Sequence, residues 1–264
     1  MSHDLESATM EIGLTVGDSI DRLEATGGGF DFVEFGIGEI GDVDDAVDGD
    51  RLETVLEDLD VSLVVHLPFK QVLATPVPEI NASIVAYQRR LLGWAGARGA
   101  RKAVLHGTVR NPHDVDLRAT VADQLIAIVE AGRDAGVEVV VENVGHQPRG
   151  LQLTVLGDIA REHDVPVCFD VGHAYMEDGD DGVKRFTKRY ADLVSHLHVH
   201  DVRSRGDTHM PIGAGEIDYE IVAENFEGFG GTVAVEVFTD DVPLLADSAD
   251  RIASILGATF DPPM

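Results

Sequence analysis

An alternation of two patterns restricts this chain's fold more than any other feature. Short apolar, β-branched runs recur at residues 10–16, 31–37, 62–68, 102–108, 137–144, 165–174, 194–202 and 232–238. Between them, and after the last, lie longer stretches whose apolar residues repeat near every 3.6 positions: 19–25, 51–59, 80–97, 117–135, 153–163, 183–192, 219–226 and 244–256. The first pattern is that of buried strands and the second that of amphipathic helices. Eight strand–helix units of similar size predict an α/β fold, a single (β/α)₈ barrel. An open doubly wound sheet shows the same alternation, but eight nearly equal units favour closure. No linker or composition break divides the chain, so the barrel is expected over residues 10–264, with residues 1–9 as a flexible tail. The Gly-Gly-Gly at 27–29 lacks the spacing of a dinucleotide loop and reads as the turn closing the first helix.

Barrels of this kind carry their chemistry where strands end and βα loops begin. The second strand carries Glu34 there. His66 follows in VVHLPFK, His106 in VLHGTVR and Glu142 in VVENVGH. Asp170 and His173 lie in CFDVGHAYMEDG, and His196, His198, His200 and Asp201 in SHLHVHD. Asp207 and His209 come next in DTHMPIGAGEID, and Glu236 in VAVEVF. One histidine at a strand end is ordinary. A His, Asp or Glu at the same height on six consecutive strands is not. Burying so many carboxylates together costs several kcal/mol per ion unless cations neutralise them. The pattern therefore implies one to three divalent metal ions, and the mixed imidazole and carboxylate donors suit Zn²⁺ or Mn²⁺. The single cysteine, Cys168, excludes an internal disulfide and a cysteine-rich zinc site; its parity with Asp170 points it into the barrel.

The charge balance bears on partners. With 48 acidic and 20 basic residues the formal net charge is −28. A carboxylate-coated, lysine-poor surface is the expected form of a halophilic protein, because it stays hydrated where salt screens repulsion. It is a poor partner for a phosphate backbone. The loop GIGEIGDVDDAVDGD after the second strand is acidic and has no basic residue, and no basic-aromatic stripe suits a nucleic acid strand. Lys70, Arg110, Arg149, Arg203 and Arg205 all follow strand ends, where arginine and lysine can clamp a small anion such as a sugar phosphate. No apolar run reaches the roughly 20 residues of a membrane span. The start, MSHDLESATMEIG, lacks the n- and h-regions of a signal peptide, which points to a cytoplasmic protein.

Taken together and in this order, VVHLPF, VLHGT, VENV, FDVGHAYMEDG, HVHD, DTHMPIGAGEID and VEVF resemble the xylose isomerase-like TIM barrel superfamily from Met10 onward. That superfamily includes sugar isomerases, ketose 3-epimerases and endonuclease IV-like AP endonucleases of family 2. The endonuclease resemblance implies nine metal ligands. His66 and His106 hold one ion, and Glu142 bridges it to a second held by Asp170, His198 and Glu236. His173, Asp207 and His209 hold a third. The epimerase resemblance implies one ion on Glu142, Asp170, His198 and Glu236, with Glu142 and Glu236 as acid and base. The N-terminal MEIGLTVGDS lacks the His-Val-Ser pattern usual in the endonucleases. The leading expectation is a metal-dependent isomerase or epimerase of a sugar or sugar phosphate, working by proton transfer through an enediolate. Glu34, Lys70, Arg110, His200 and Arg205 are the expected contacts to a small anionic carbohydrate. The alternative is a trinuclear-zinc AP endonuclease, and a third reading is a barrel that binds metal or sugar without turnover.

Overall fold

A computed structural model of the chain describes residues 10–260; the expected tail at 1–9 lies outside them. The strands are β1 (Glu11–Gly17), β2 (Phe32–Gly36), β3 (Ser62–His66), β4 (Lys102–His106), β5 (Glu138–Glu142), β6 (Val167–Asp170), β7 (Val194–Val199), β8 (Asp201–Arg203), β9 (Gly206–Met210) and β10 (Thr232–Val235). The helices are α1 (Ile20–Thr26), α2 (Val43–Ala46), α3 (Gly49–Leu59), α4 (Pro78–Ala97), α5 (Arg118–Asp134), α6 (Leu153–His163), α7 (Val171–Tyr190), α8 (Glu220–Phe226) and α9 (Val242–Ile255). Eight strands close into a barrel in the order β1-β10-β7-β6-β5-β4-β3-β2, and β8 and β9 form a separate antiparallel hairpin. The pairings around the barrel are parallel, as a βα repeat requires. The (β/α)₈ expectation is met.

Two run boundaries differ from the periodicity reading. The apolar run 165–174 spans two elements: β6 ends at Asp170, and α7 begins at the next residue. Asp170 is the N-cap, its side chain accepting from the His173 backbone N–H at 2.6 Å, so strand turns into helix without a loop. The helix expected at 183–192 is the later part of α7, which breaks at Asp178 and Gly179; Gly179 has φ 64 and ψ −163, a conformation open only to glycine. The run 194–202 also divides, β7 ending at Val199 and the hairpin starting at Asp201.

Alternation places the functional side chains. Val64, Val104, Val140, Cys168 and Ala234 are fully buried and meet with Phe32 inside the barrel. Two residues further along the same strands come His66, His106, Glu142, Asp170 and Glu236. Period two puts both members of each pair on the inward face, so an apolar plug fills the interior and polar groups stand above it. Gly13 of β1 makes room for this plug, since a Cβ there would fall 2.4 Å from the Phe32 ring. The larger core lies between strands and helices and includes Trp94, whose ring is buried and whose Nε1 donates to Asp44 at 3.0 Å.

Candidate metal centre

Each strand delivers its ligand by the same rule, and neighbouring groups fix the direction of each ring. A backbone carbonyl only accepts, so the ring nitrogen facing one carries a proton and the other nitrogen is the one that can offer a lone pair to a metal. His66 Nδ1 donates to the Leu67 carbonyl at 2.9 Å, leaving Nε2 3.3 Å from Glu142 Oε2. His106 Nε2 is 3.1 Å from the same oxygen. His66, His106 and Glu142 each offer a ligand atom within 4.8 Å of the others.

The deepest donor is His198. Its Nε2 donates to Glu34 Oε2 at 2.9 Å, which turns Nδ1 toward three carboxylates. Glu236 Oε2 is 3.2 Å from that nitrogen, Asp170 Oδ2 3.7 Å and Glu142 Oε1 3.8 Å. Asp170 commits Oδ1 to its cap, and Oδ2 has no hydrogen bond. Asn143 of the VENV motif sets Asp170 by pairing with its backbone in both directions, at 2.8 and 2.9 Å.

His173, in the first turn of α7, turns its Nδ1 to Glu142 Oε1 at 2.9 Å and to the Asn143 carbonyl at 3.1 Å. Its Nε2 lies 3.8 Å from Asp207 Oδ1. The hairpin of β8 and β9 brings Asp207 and His209 back over the mouth, with His209 Nε2 at 2.7 Å from Asp207 Oδ1. All nine residues expected to ligate metal thus converge at one end of the barrel.

The site also passes a chemical test for cations. His198 Nδ1, Asp170 Oδ2, Glu236 Oε2, His106 Nδ1 and His200 Nε2 are buried without hydrogen-bond partners. Each such atom costs about 1–3 kcal/mol unless something satisfies it. Burial alone would raise the Glu142 carboxyl, yet His106, His198 and His173 hold it well below the usual carboxylate range. Burial likewise disfavours charge on His173, but Asp170 and Glu142 carry it up to about 10. Carboxylates this ready to ionise and imidazoles that take up protons in compensation form a donor set suited to divalent ions.

Several expected substrate contacts lie elsewhere. Glu34 is fully buried and faces His196 at 3.1 Å and His198 at 2.9 Å, not a substrate. The cause is register: Gly36 of β2 pairs with His66, while Glu34 pairs with Val64, one inward position deeper. His200 is fully buried, its ring stacked on His209 at 4.0 Å and its Nε2 3.3 Å from Asp170 Oδ1, so it belongs to the ligand cluster.

The mouth opens into a cavity of about 400 Å³. Lys70, Arg110 and Arg205 do not line it. They are exposed on their loops, Lys70 over the Phe69 ring at 5.9 Å and Arg205 over Tyr175 at 5.9 Å. The basic side chain that does line it is Arg22, which gave no signal in the sequence because it reaches back from α1. Its guanidinium is already committed to the carbonyls of Thr15, Val237 and Thr239 and to Asp240. Gln147 and Phe238 also line the cavity and were not anticipated, although Phe238 stands two residues after Glu236 on the same parity. Phe238 stacks on His209 at 3.8 Å and is 65% exposed; Phe69, on the loop that follows His66, is 51% exposed. Among the described residues no helix is long and apolar enough to cross a membrane.

Comparison with known proteins agrees with the barrel fold. A family model described as Xylose isomerase-like TIM barrel matches residues 20–256. An uncharacterized protein of Methanocaldococcus jannaschii is 28% identical over 124 residues, which is 42% of this chain and 41% of that protein; the match thus spans about two fifths of the relative's length. The solved structure of an L-ribulose 3-epimerase superposes with a TM-score of 0.76 at 18% identity, covering 94% of this chain and 95% of that one. The TTHB071 protein from Thermus thermophilus, soaked with ZnCl₂, gives a TM-score of 0.68 at 25% identity, covering 94% and 98%.

Proposed function

Because the chain belongs to the xylose isomerase-like TIM barrel family, we propose that it is a divalent-metal-dependent isomerase or epimerase of a small sugar. The observation that carries this reading is the set of three carboxylate oxygens, from Glu236, Asp170 and Glu142, within 3.8 Å of His198 Nδ1. A divalent ion on these four residues would polarise a sugar carbonyl and acidify the adjacent C–H bond. Glu142 and Glu236 then divide the proton work. Both Glu142 oxygens already face imidazoles: His66 and His106 on Oε2, His173 on Oε1. Glu236 Oε2 has no hydrogen-bond partner, and its side chain is the more exposed of the two. Glu236 is therefore the better placed to take the proton from carbon, and Glu142 the group that would return one through an enediolate by relaying a proton from His173, whose Nδ1 lies 2.9 Å from its Oε1. Phe69 and Phe238 flank the mouth, where their rings would cover the apolar face of a bound sugar. The likeness to an L-ribulose 3-epimerase structure supports the same class of substrate.

The surroundings favour an uncharged sugar. The cavity of about 400 Å³ fits one small molecule, and four of the five Arg22 N–H donors are already taken by Thr15, Val237, Thr239 and Asp240. One observation favours an AP endonuclease as second reading: the further donor groups around His66 and His106 and around His173 and Asp207 adjoin the first. The test is to incubate protein loaded with Zn²⁺ or Mn²⁺ with free ketoses, their phosphates and an abasic-site oligonucleotide, over a salt series. Conversion of a free ketose to its epimer or isomer supports the proposal. Incision of the oligonucleotide without sugar conversion overturns it.

A further inference from the structure

We infer that Arg22 is a positioning residue for the proposed proton transfer: it pins residues 236–240, which carry Glu236 and Phe238, to the end of β1. The inference rests on the reading of Glu236 as the group that takes the proton.

The segment needs an anchor because it has left the sheet. β1 and β10 pair in register only as far as Leu14 and Val235, and α9 begins at Val242. On the side of β7 and the hairpin the stretch between is held by three bonds. The Glu236 N–H donates to the Val199 carbonyl at 3.0 Å, the Phe238 N–H to the His209 carbonyl at 3.0 Å, and His209 Nδ1 to the Glu236 carbonyl at 2.9 Å. On the side of β1 the ladder has run out, and one guanidinium takes its place. Arg22 Nη1 donates to the Thr15 carbonyl at 3.0 Å, and Nη2 to the Val237 and Thr239 carbonyls at 3.2 and 3.0 Å. Its Nε donates to Asp240 Oδ1 at 3.0 Å. A rigid planar fork can serve acceptors spread in this way, and the point charge of a lysine cannot. Arg22 thus closes the seam between the first and last barrel strands at the height of the site, starting at the residue next to Glu236.

The arginine is not there for its own helix. Ser19 caps α1 and accepts from the Arg22 backbone N–H at 3.2 Å, so Arg22 is the third helical residue. That position favours Glu or Gln, which would complete the cap, and the first turn of a helix disfavours a cation. Helical side chains lean toward the N-terminus, which carries this one back over β1. The Arg22 side chain is 19% exposed and that of Asp240 84%, so the carbonyl bonds are the sheltered part of the contact and the ion pair is its wet edge. What the pin protects is the placement of Glu236, whose Oε2 lies 3.2 Å from His198 Nδ1 and whose side chain lines the cavity. A misplacement of about 1 Å at such a group costs on the order of 100-fold in rate.

The experiment compares full-length wild type, Arg22→Ala and Arg22→Lys, each saturated with metal at high salt. Without substrate, amide hydrogen exchange read by mass spectrometry reports on residues 236–241. Arg22→Ala is expected to exchange faster there, with β3 to β6 as in the wild type. With a ketose substrate, deuterium incorporation from solvent gives kcat and KM separately. Arg22→Ala is expected to lose about 100-fold in kcat at an unchanged KM, and soluble guanidinium to restore part of the rate where sodium chloride at the same ionic strength does not. Arg22→Lys keeps the stem and the charge, so it carries both readouts even if Arg22→Ala fails to fold; its kcat should fall between the other two. Wild-type amide exchange over 236–241 in either folded variant, or a raised KM at wild-type kcat, overturns the inference. A wild type that exchanges no hydrogen on any ketose refutes the sugar reading instead, and the amide exchange then decides by itself whether Arg22 holds the segment.

Discussion

Glu34 supports the candidate metal site from beneath, through His198 and His196. It accepts from His198 Nε2 at 2.9 Å and from His196 Nε2 at 3.1 Å, while His196 Nδ1 is 2.7 Å from Thr232 Oγ1. Burial would raise its carboxyl, but His198 and His196 outweigh that and hold it ionised. Replacing it with Gln weakens its acceptance from His198 and should lower metal affinity about 10–100-fold, the usual cost of losing an outer partner; a competitive chelator titration measures this, and unchanged affinity would refute the role. His173 supplies a second prediction. With burial opposing and Asp170 and Glu142 favouring its charge, it holds a proton up to about 10 in the metal-free protein. A metal must displace that proton at neutral pH, so affinity should rise as pH rises toward that value. Calorimetry in buffers of different ionisation enthalpy should register proton release near pH 7, and no release would contradict the assignment. At this scale the inward-facing donor side chains were legible in the sequence, because strand parity fixes which side chains face inward. Glu34 was misplaced because depth depends on the register between strands, which one sequence does not encode. Arg22 and Gln147 were missed because helix and loop residues reach the cavity through paths without a period.

The elements show where local signals compete. The strand ends of β3, β4 and β5 fall at His66, His106 and Glu142, within the runs that hydrophobicity marked. The start of α7 was hidden because apolar residues continue from β6 through Ala174 while the backbone changes at the Asp170 cap. The hairpin was hidden because the β7 run continues into β8. Asp201, which looked like one more site residue, has a structural task instead. Its carboxylate accepts from the backbone N–H groups of Val202, Gly213, Gly215, Glu216 and Ile217 at 2.9–3.1 Å, gathering the PIGAGEID loop beneath the hairpin. Asp201→Ala leaves those donors without their acceptor and should cost about 3 kcal/mol. Urea denaturation followed by circular dichroism tests this; a loss within a few tenths of a kcal/mol would mean that the loop is anchored by other contacts.

For the molecule as a whole, the acidic surface is distinct from the candidate metal site at the barrel mouth. Many of the scarce basic residues are taken up by local pairs, such as Arg101 with Glu11 at 2.7 Å and Arg51 with Asp21 at 2.7 Å, and the net charge of −28 is left for solvent to screen. Self-repulsion should make the fold less stable as salt is withdrawn. Thermal melts over a salt series are expected to show a midpoint that climbs with ionic strength; a midpoint indifferent to salt would remove the halophilic explanation of the surface. The barrel was legible from the alternation alone, since eight similar units have few ways to close. The substrate was not, because sugar and phosphodiester chemistries can share one set of ligands and are separated by what lines the cavity.

The central claim is that Glu236 and Glu142 move a proton at a sugar carbon beside the His198–Asp170 donors. Deuterium incorporation from solvent, followed by nuclear magnetic resonance at the carbon next to a ketose carbonyl, tests it most directly. The wild-type protein loaded with metal at high salt should exchange that hydrogen, and Glu236→Gln should be inert while keeping the wild-type far-ultraviolet spectrum. A wild-type protein that holds its metal and exchanges no hydrogen on any free ketose, or a Glu236→Gln variant that exchanges at the wild-type rate, would contradict it.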